Sequence, residues 1–265
     1  MELIMLGTGN AMVTRCYNTC FVLSSGEEYF LVDAGGGNGI FKQLEQAGVP
    51  FTGIREMFVT HAHTDHILGA IWVIRKIATL MSNDKYRRNF IVYGHNEVID
   101  ALRTFCRLTL PGKILKYIDE RIFWGEVKDG TRKEILGLPI CFFDILSTKM
   151  KQFGFRVLLP DGQVLVCLGD EPYNEACKKY VEQADWLLAE AFCLYREIFS
   201  PYEKHHSTAL DAGRLAEALG VKHLVLYHTE DKTLAERKEA YTREASSVFT
   251  GRVYVPDDLE RISLE

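Results

Sequence analysis

Four side chains that commonly ligate metals lie within six residues, directly after a short apolar run. The run covers residues 57–60, and the ligand candidates that follow it are His61, His63, Asp65 and His66. A buried strand that ends at residue 60 delivers a turn on which the first two histidines share one face, while the aspartate and the last histidine point to a second position nearby. Imidazole and carboxylate groups suit Zn²⁺, Mn²⁺ or Fe, and adjacent ligand sets suit two ions about 3.5–4 Å apart. The cluster therefore predicts a metal centre, with a solvated histidine-rich turn as the alternative.

Strands and helices are both predicted around this cluster. Short runs rich in β-branched and aromatic residues predict strands at 3–6, 19–23, 29–32, 56–60, 138–145, 153–159, 163–167, 186–189 and 222–227, and another after residue 89. Helices are predicted at 39–46, 67–81, from about 96, and at 172–181, 207–219 and 232–245, the last as a charged surface helix. Residues 160–162 predict a hairpin turn, and the region around 111–112 receives no assignment. The pattern indicates two sheets packed face to face with helices outside, in a single domain over residues 1–265.

Composition limits the classes of function. The chain of 265 residues is 47% hydrophobic and 25% charged, which is typical of a globular protein. Its net charge of −5 provides no global field that attracts polyanions, so RNA as a partner stays open but is not supported by charge. No apolar run is long enough for a membrane span, and the seven cysteines are odd in number and scattered. We therefore expect no membrane association and a cytoplasmic location.

Several motifs together resemble the metallo-β-lactamase fold. His-x-His-x-Asp-His at a strand end is the signature of that fold, and four further segments follow in the required order. They are residues 6–9 (Leu-Gly-Thr-Gly), 31–35 (Leu-Val-Asp-Ala-Gly), 167–170 (Cys-Leu-Gly-Asp) and 225–228 (Val-Leu-Tyr-His). The resemblance covers nearly the whole chain and implies an α/β fold with a four-layer αββα sandwich.

The resemblance also implies a set of metal ligands. His61 and His63 would hold a first ion, and Asp170 would bridge it to a second ion. His228 would complete the ligands of the second ion together with Asp65 and His66. From the residues alone, an aspartate such as Asp170 is more often a turn or cap residue. Asp33 is expected to orient ligands by hydrogen bonds, with a plain turn residue as the alternative.

One ligand of the family is missing from this chain. Relatives carry a histidine ahead of the strand that corresponds to residues 153–155, whereas residues 146–150 contain none. The missing histidine would lie near Thr148. The first ion would then rely on His95, His205 or a water as a further ligand, and single-ion occupancy is a real alternative.

The second half of the chain resembles the ribonuclease Z branch, which cleaves phosphodiester bonds at transfer-RNA 3′ ends. The resemblance rests on residues 190–192 (Glu-Ala-Phe), 206–208 (His-Ser-Thr) and 227–229 (Tyr-His-Thr). It implies that His206 is the general acid for the leaving group and that Glu190 orients it. Asp65 would orient the attacking hydroxide while it ligates. The alternative is that His206 merely caps the helix that begins at Ser207.

These observations predict a metal-dependent hydrolase. We expect a ribonuclease Z-like phosphodiesterase that uses a metal-bound hydroxide, with one or two Zn²⁺ ions, and with Mn²⁺ or Fe as alternatives. The substrate is a phosphodiester or another small molecule, and true transfer-RNA processing ranks lower because no Gly/Pro-rich basic arm is evident. The alternatives are a lactone, thioester or ester hydrolase on the same fold, and a metal-poor, non-catalytic binding protein. The resemblance also implies a homodimer.

Overall fold

The computed structural model of the protein describes residues 1–197 and 205–265, without the side chain of residue 197. The described chain forms two compact units. Unit 1 comprises Met1–Gly7, Tyr17–Val127 and Asp258–Glu265, and unit 2 comprises Thr8–Cys16 and Lys128–Asp257. Within these residues, each helix lacks the length or the apolarity needed to traverse a lipid bilayer. The expectation of a single domain over residues 1–265 stays a prediction.

Unit 1 is built on one mixed sheet. Its strands are β1 (Glu2–Gly7), β2 (Cys20–Ser25), β3 (Glu28–Val32), β4 (Ile54–Phe58), β5 (Phe90–Gly94), β6 (Ile122–Glu126) and the C-terminal strand β14 (Arg261–Ser263). They lie in the order β14-β1-β2-β3-β4-β5-β6. The pairs from β14 to β3 are antiparallel, and those from β3 to β6 are parallel.

Helices connect the parallel strands of unit 1, as parallel pairing requires. They are α1 (Gly39–Gln46), α2 (Thr64–Ser82), α3 (Asn96–Thr109) and the short α4 (Gly112–Leu115). Apolar side chains of the first three helices pack on one face of the sheet in a continuous buried cluster, which includes Ile40, Ile74 and Leu102. Helix α2 is buried on most sides, as its apolar composition predicts.

Unit 2 repeats this arrangement. Its strands are β7 (Thr131–Ile135), β8 (Leu138–Asp144), β9 (Phe153–Leu158), β10 (Val164–Cys167), β11 (Trp186–Glu190), β12 (His223–Tyr227) and β13 (Arg252–Tyr254), and they lie in the order β13-β12-β11-β10-β9-β8-β7. The meander from β7 to β10 is antiparallel, and the pairs from β10 to β13 are parallel. Each sheet therefore joins an antiparallel part to a parallel part.

The helices of unit 2 are α5 (Lys178–Val181), α6 (Ala209–Ala218) and α7 (Arg237–Ser246). Helix α6 begins with a capping box, because the Thr208 hydroxyl accepts from the backbone N–H of Asp211 while the Asp211 carboxylate accepts from the N–H of Thr208. Side chains of α6 and α7 pack with the sheet in a second buried cluster that includes Ala212, Leu224 and Tyr241.

Most elements occur where the sequence predicts them, with some differences at helix ends. Helix α2 begins at Thr64 rather than 67, so Asp65 lies in its first turn, where a negative charge is favourable. The helix predicted at 172–181 is reduced to a 3-10 turn at Glu175–Cys177 followed by α5. The prediction of a charged surface helix from 232 was wrong in its start and in part of its surface, since α7 begins at Arg237 and buries this arginine and Tyr241.

A close backbone approach fixes α2 against the loop after β3. The Gly69 N–H donates to the Gly35 carbonyl at 2.8 Å, and the Ala34 N–H donates to the His66 carbonyl at 3.2 Å. A Cβ atom at position 69 would overlap the Ala34 carbonyl oxygen. Glycine at this position therefore lets the first turns of α2 lie directly on the loop.

Replacing Gly69 by alanine should force this contact apart. We expect G69A to lower the free energy of unfolding by about 1–3 kcal/mol through overpacking, measured by urea denaturation in the presence of a chelator. The matched control is G112A in α4, where a Cβ would meet nothing within 4 Å. There alanine should leave stability unchanged or raise it by about 0.4–1 kcal/mol. Equal stability of the two variants would contradict the role of Gly69.

Candidate active site

In each unit, the residues expected to carry chemistry follow the carboxyl ends of parallel strands. In unit 1, Asp33 follows β3, and the histidine cluster begins three residues after β4 ends. In unit 2, Asp170 follows β10, Glu190 ends β11, and His228 follows β12. Parallel neighbours end at the same edge of a sheet, so each unit gathers its candidate residues at one edge.

The carboxylate of Asp33 organises the candidate residues of unit 1. Its Oδ1 accepts from the Thr60 N–H at 2.8 Å, and its Oδ2 accepts from the Thr60 hydroxyl at 2.9 Å. Oδ2 also lies 2.8 Å from Nδ1 of His66. Asp33 is buried, and its φ of 55° is unusual for a residue with a side chain. The sequence predicted an orienting role for Asp33, and the structure gives it three polar contacts.

These contacts assign the protonated nitrogens of two imidazoles. A carboxylate only accepts, so Nδ1 of His66 is the nitrogen that carries the proton. The Thr60 hydroxyl donates to Asp33, so it accepts from Nδ1 of His61, which is 2.9 Å away. In both rings, Nε2 is then the nitrogen with a lone pair. This is the form in which histidine binds a metal ion.

The donor atoms of unit 1 lie close to one another. Nε2 of His61 and Nδ1 of His63 are 2.8 Å apart, and Nε2 of His66 is 3.4 Å from a carboxylate oxygen of Asp65. His61, Asp65 and His66 are buried. Closely spaced imidazole nitrogens beside a carboxylate, with the rings held from behind, form a donor set that fits a transition-metal ion.

In unit 2, Glu190 holds two histidines. Its Oε2 lies 2.8 Å from Nδ1 of His206 and 3.4 Å from Nδ1 of His228, while its Oε1 accepts from the Ser207 N–H at 2.8 Å. The ring of His206 also stacks on Phe192, with ring centroids 4.5 Å apart. The structure thus brings together the pair that the sequence singled out as acid and orienting partner.

The contacts of His206 do not support the alternative that it merely caps the following helix. Helix α6 begins after Thr208, and the side chains of Thr208 and Asp211 cap it. Nδ1 of His206 is directed at Glu190, and its Nε2 lies 3.0 Å from the Lys149 ammonium. Capping therefore does not account for this histidine.

Asp170 and His228 are also neighbours in unit 2. A carboxylate oxygen of Asp170, Oδ2, lies 3.4 Å from Nε2 of His228, and both side chains are buried. The Tyr227 hydroxyl donates to the Gly169 carbonyl and so ties the end of β12 to the loop after β10. Burial raises the pKa of Tyr227 well above its usual value, so its hydroxyl stays protonated as a donor. His228 adopts a φ of 56°, a second left-handed residue within the candidate site.

The two histidines considered as replacements for the missing ligand lie in different surroundings. His95 is buried and directly precedes α3 in unit 1. In unit 2, Nδ1 of the exposed His205 lies 3.3 Å from the Thr148 hydroxyl, at the place of the missing histidine. A role for either one stays a prediction.

Sequence reasoning missed several residues that support the site. Thr60 links Asp33 to His61, Tyr227 restrains the loop of Asp170, and Gln152 contacts Asp170 directly. Thr60 and Tyr227 are adjacent in sequence to predicted ligands, which is the only signal that could have found them. Gln152 is 18 positions from its partner, and only the pairing of β9 with β10 brings the two together.

Comparisons with known structures establish the fold. The metallo-β-lactamase fold protein YhfI from Bacillus subtilis matches with a TM-score of 0.80 and 19% identity, over 98% of both chains. The short form of human tRNase Z matches with a TM-score of 0.77 and 21% identity, over 100% of both chains. The prediction of an α/β metallo-β-lactamase-like sandwich is confirmed.

Sequence comparison establishes the class of enzyme and its family. A ribonuclease Z from Thermobifida fusca is 26% identical over 309 aligned positions, which cover 99% of this chain and 94% of the relative. The fold, the buried histidine and aspartate groups and this likeness define a metal-dependent hydrolase of the ribonuclease Z-like branch. Within that class, the family model described as Anti-Pycsar protein Apyc1 matches residues 1–242, and the chain belongs to this family.

Asp33 offers a direct test of the hydrogen bonds behind the histidines. In D33N an amide N–H replaces one carboxylate oxygen, which favours the proton on Nε2 of His66, where it blocks metal binding. We expect metal affinity to fall by about 10–100-fold, measured by competition with a chromophoric chelator. Asparagine tolerates the left-handed backbone, so the fold should persist.

The control for this substitution is D84N. Asp84 has the same φ of 55°, but it lies on the surface and pairs with Arg87. D84N should bind metal as the unaltered protein does. If D33N and D84N bound metal with equal affinity, this result would contradict the argument that Asp33 determines the tautomer of His66.

Proposed function

We propose that the protein hydrolyses phosphodiester bonds at a metal centre. The proposed ligands are His61, His63, Asp65, His66, Asp170 and His228, and the proposed catalytic residues are Asp65, His206 and Glu190. The contact that carries the proposal is the 2.8 Å pair between Glu190 and His206, because a held imidazole beside a metal centre is suited to protonating the alkoxide that leaves phosphorus.

The metal would supply an activated water and positive charge for the phosphoryl oxygens. The side chains of this protein supply orientation and protons. Asp33 and Thr60 hold the rings of His61 and His66 so that their Nε2 atoms are available as ligands. Asp65, in the first turn of α2, has a second carboxylate oxygen with which it would orient the nucleophile while it ligates.

His206 would act as the general acid. Glu190 accepts from Nδ1 of the ring, which fixes the ring orientation and the nitrogen that faces away from the carboxylate. The opposite nitrogen, Nε2, accepts from the Lys149 ammonium at 3.0 Å on a less buried side. In the acid role, Nε2 would carry the proton and present it to the leaving group in place of this contact, on the side away from Glu190.

The proposed substrate is a small phosphodiester rather than precursor transfer RNA. The alignment with the Thermobifida ribonuclease Z spans 309 positions, whereas this chain has 265 residues, so the relative carries segments that this chain lacks. The net charge of −5 gives no compensating attraction for a long polyanion. Both observations favour a substrate that is recognised at the reacting phosphate itself.

The identity of the metal ion, the cellular location and the oligomeric state are part of the same proposal. Zn²⁺ is the proposed ion because the donor set is rich in imidazole, with Mn²⁺ or Fe as alternatives. A cytoplasmic location is supported by the seven cysteines, which all lie in the described part of the chain and form no disulfide. A homodimer is proposed from the family resemblance.

The general-acid role predicts a dependence on the leaving group. For a dinucleoside monophosphate, whose sugar alkoxide needs a proton to leave, H206A should lower kcat by about 10²–10⁴-fold. The loss should be much smaller for bis(p-nitrophenyl) phosphate, because p-nitrophenolate leaves without a proton, and smallest for an activated carboxylic ester. Steady-state kinetics with the three substrates measures the pattern.

A matched control is H223A, another histidine of unit 2. His223 stacks on Trp186 at the start of β12, with ring centroids 4.1 Å apart, and it has no proposed role in catalysis. In H223A, the ratio of the activities on the three substrates should equal that of the unaltered enzyme. Equal losses on all three substrates in H206A would contradict the assignment of phosphoryl chemistry to this residue.

The choice of a small substrate predicts weak competition by transfer RNA. Without a segment that grips phosphates, transfer RNA should bind only in the non-specific range of about 10⁻⁴–10⁻⁶ M at physiological salt. Transfer RNA at about 0.1 μM, well below that range, should then leave hydrolysis of bis(p-nitrophenyl) phosphate unchanged. The Thermobifida ribonuclease Z serves as the comparison enzyme in the same assay. Strong inhibition of the present protein at this concentration would favour a transfer-RNA substrate instead.

A further inference from the structure

Gln152 makes two hydrogen bonds to Asp170. Its Oε1 accepts from the Asp170 backbone N–H at 2.9 Å, and its Nε2 donates to Oδ1 of the Asp170 carboxylate. Both side chains are buried. The amide therefore fixes the backbone and the carboxylate of Asp170 together, which leaves the carboxylate little freedom to rotate.

The surrounding backbone is shaped to admit this glutamine. Gly169 has a φ of 82°, and a Cβ atom there would overlap Oε1 of Gln152. Gln152 directly precedes β9, which pairs with β10, and the Asp170 loop follows β10. The neighbouring Gly154 has room for no side chain, since a Cβ there would overlap the Cys167 carbonyl oxygen. The absence of side chains at Gly169 and Gly154 thus leaves the space in which Gln152 reaches Asp170.

The two carboxylate oxygens of Asp170 consequently face different partners. Oδ1 receives the amide of Gln152, and Oδ2 lies 3.4 Å from Nε2 of His228. The oxygen on the His228 side is the one oriented to share an ion with that imidazole.

We propose that Gln152 is a positioning residue that fixes the Asp170 carboxylate so that Oδ2 is directed at the ion shared with His228. This inference rests on the proposed metal centre and adds to it the residue that orients one of its ligands.

The test is a Zn²⁺ titration of protein stripped by a chelator, with a chromophoric competitor to report free ion. In Q152M, which keeps the side-chain length but makes neither hydrogen bond, the affinity for Zn²⁺ should fall by about 10–100-fold relative to the unaltered protein. Q152E keeps the acceptor for the Asp170 N–H but loses the donor to Oδ1, and it should lower the affinity for Zn²⁺ as well.

The control is K151M, an adjacent residue whose ammonium lies 5.7 Å from the Phe153 ring and not at Asp170. It should titrate as the unaltered protein does. Thermal unfolding with and without Zn²⁺ gives a second readout, because a positioning role reduces the zinc-induced rise in Tm, whereas a merely structural role lowers Tm equally in both states. Where Q152M does not fold, Q152E carries the test.

Two results would overturn the inference. One is an unchanged Zn²⁺ titration in both Gln152 variants, and the other is a Tm that these variants lower equally with and without Zn²⁺. Failure of the proposed function gives a different result, because the unaltered protein would then bind no Zn²⁺ at all and show no metal-dependent phosphodiester hydrolysis.

Discussion

The candidate metal ligands of unit 1 depend on the contacts of the buried Asp33 carboxylate. It joins three pieces of chain, because it follows β3, accepts from Thr60 after β4 and contacts His66 in the first turn of α2. These contacts also set the protonation of the rings, which decides whether the imidazoles can act as ligands. One side chain therefore determines both the local backbone and the chemistry of the cluster, and Gly69 allows α2 to lie close enough for this to happen.

In unit 2, Glu190 has a role similar to that of Asp33 in unit 1. Glu190 ends a parallel strand, is buried, and contacts the imidazoles of His206 and His228. In both units, a buried carboxylate at a strand end contacts an imidazole through its Nδ1 atom, which is that of His66 in unit 1 and that of His206 in unit 2. The comparison also shows a difference. The carboxylate of Asp170 is held by an amide, which lacks a charge and has a fixed donor and acceptor.

The sequence predicted the parts of the fold and site that depend on local pattern. The apolar run before His61 and the hairpin at 160–162 are examples, since each has a motif that can be read directly. The pairing of Glu190 with His206 was predicted only because the second half of the chain resembles the ribonuclease Z branch. The short strands β13 and β14 were not predicted, because three residues carry no periodicity and their pairing partners are distant in sequence. Gln152 was missed for the same reason. Its role arises from the register of two strands and a glycine loop, and not from its neighbours in the chain.

The shared strand order of the two sheets has a consequence for how the protein folds. The antiparallel meanders β1–β3 and β7–β10 join sequence neighbours, so they close short loops at low entropic cost. The parallel strands pair across intervening helices and are expected to assemble more slowly. Strands that pair only in parallel precede His61, His63, Asp65, His66 and His228, so we expect a competent site only after those strands have assembled. A collapsed intermediate with native-like meanders would then lack any competent site.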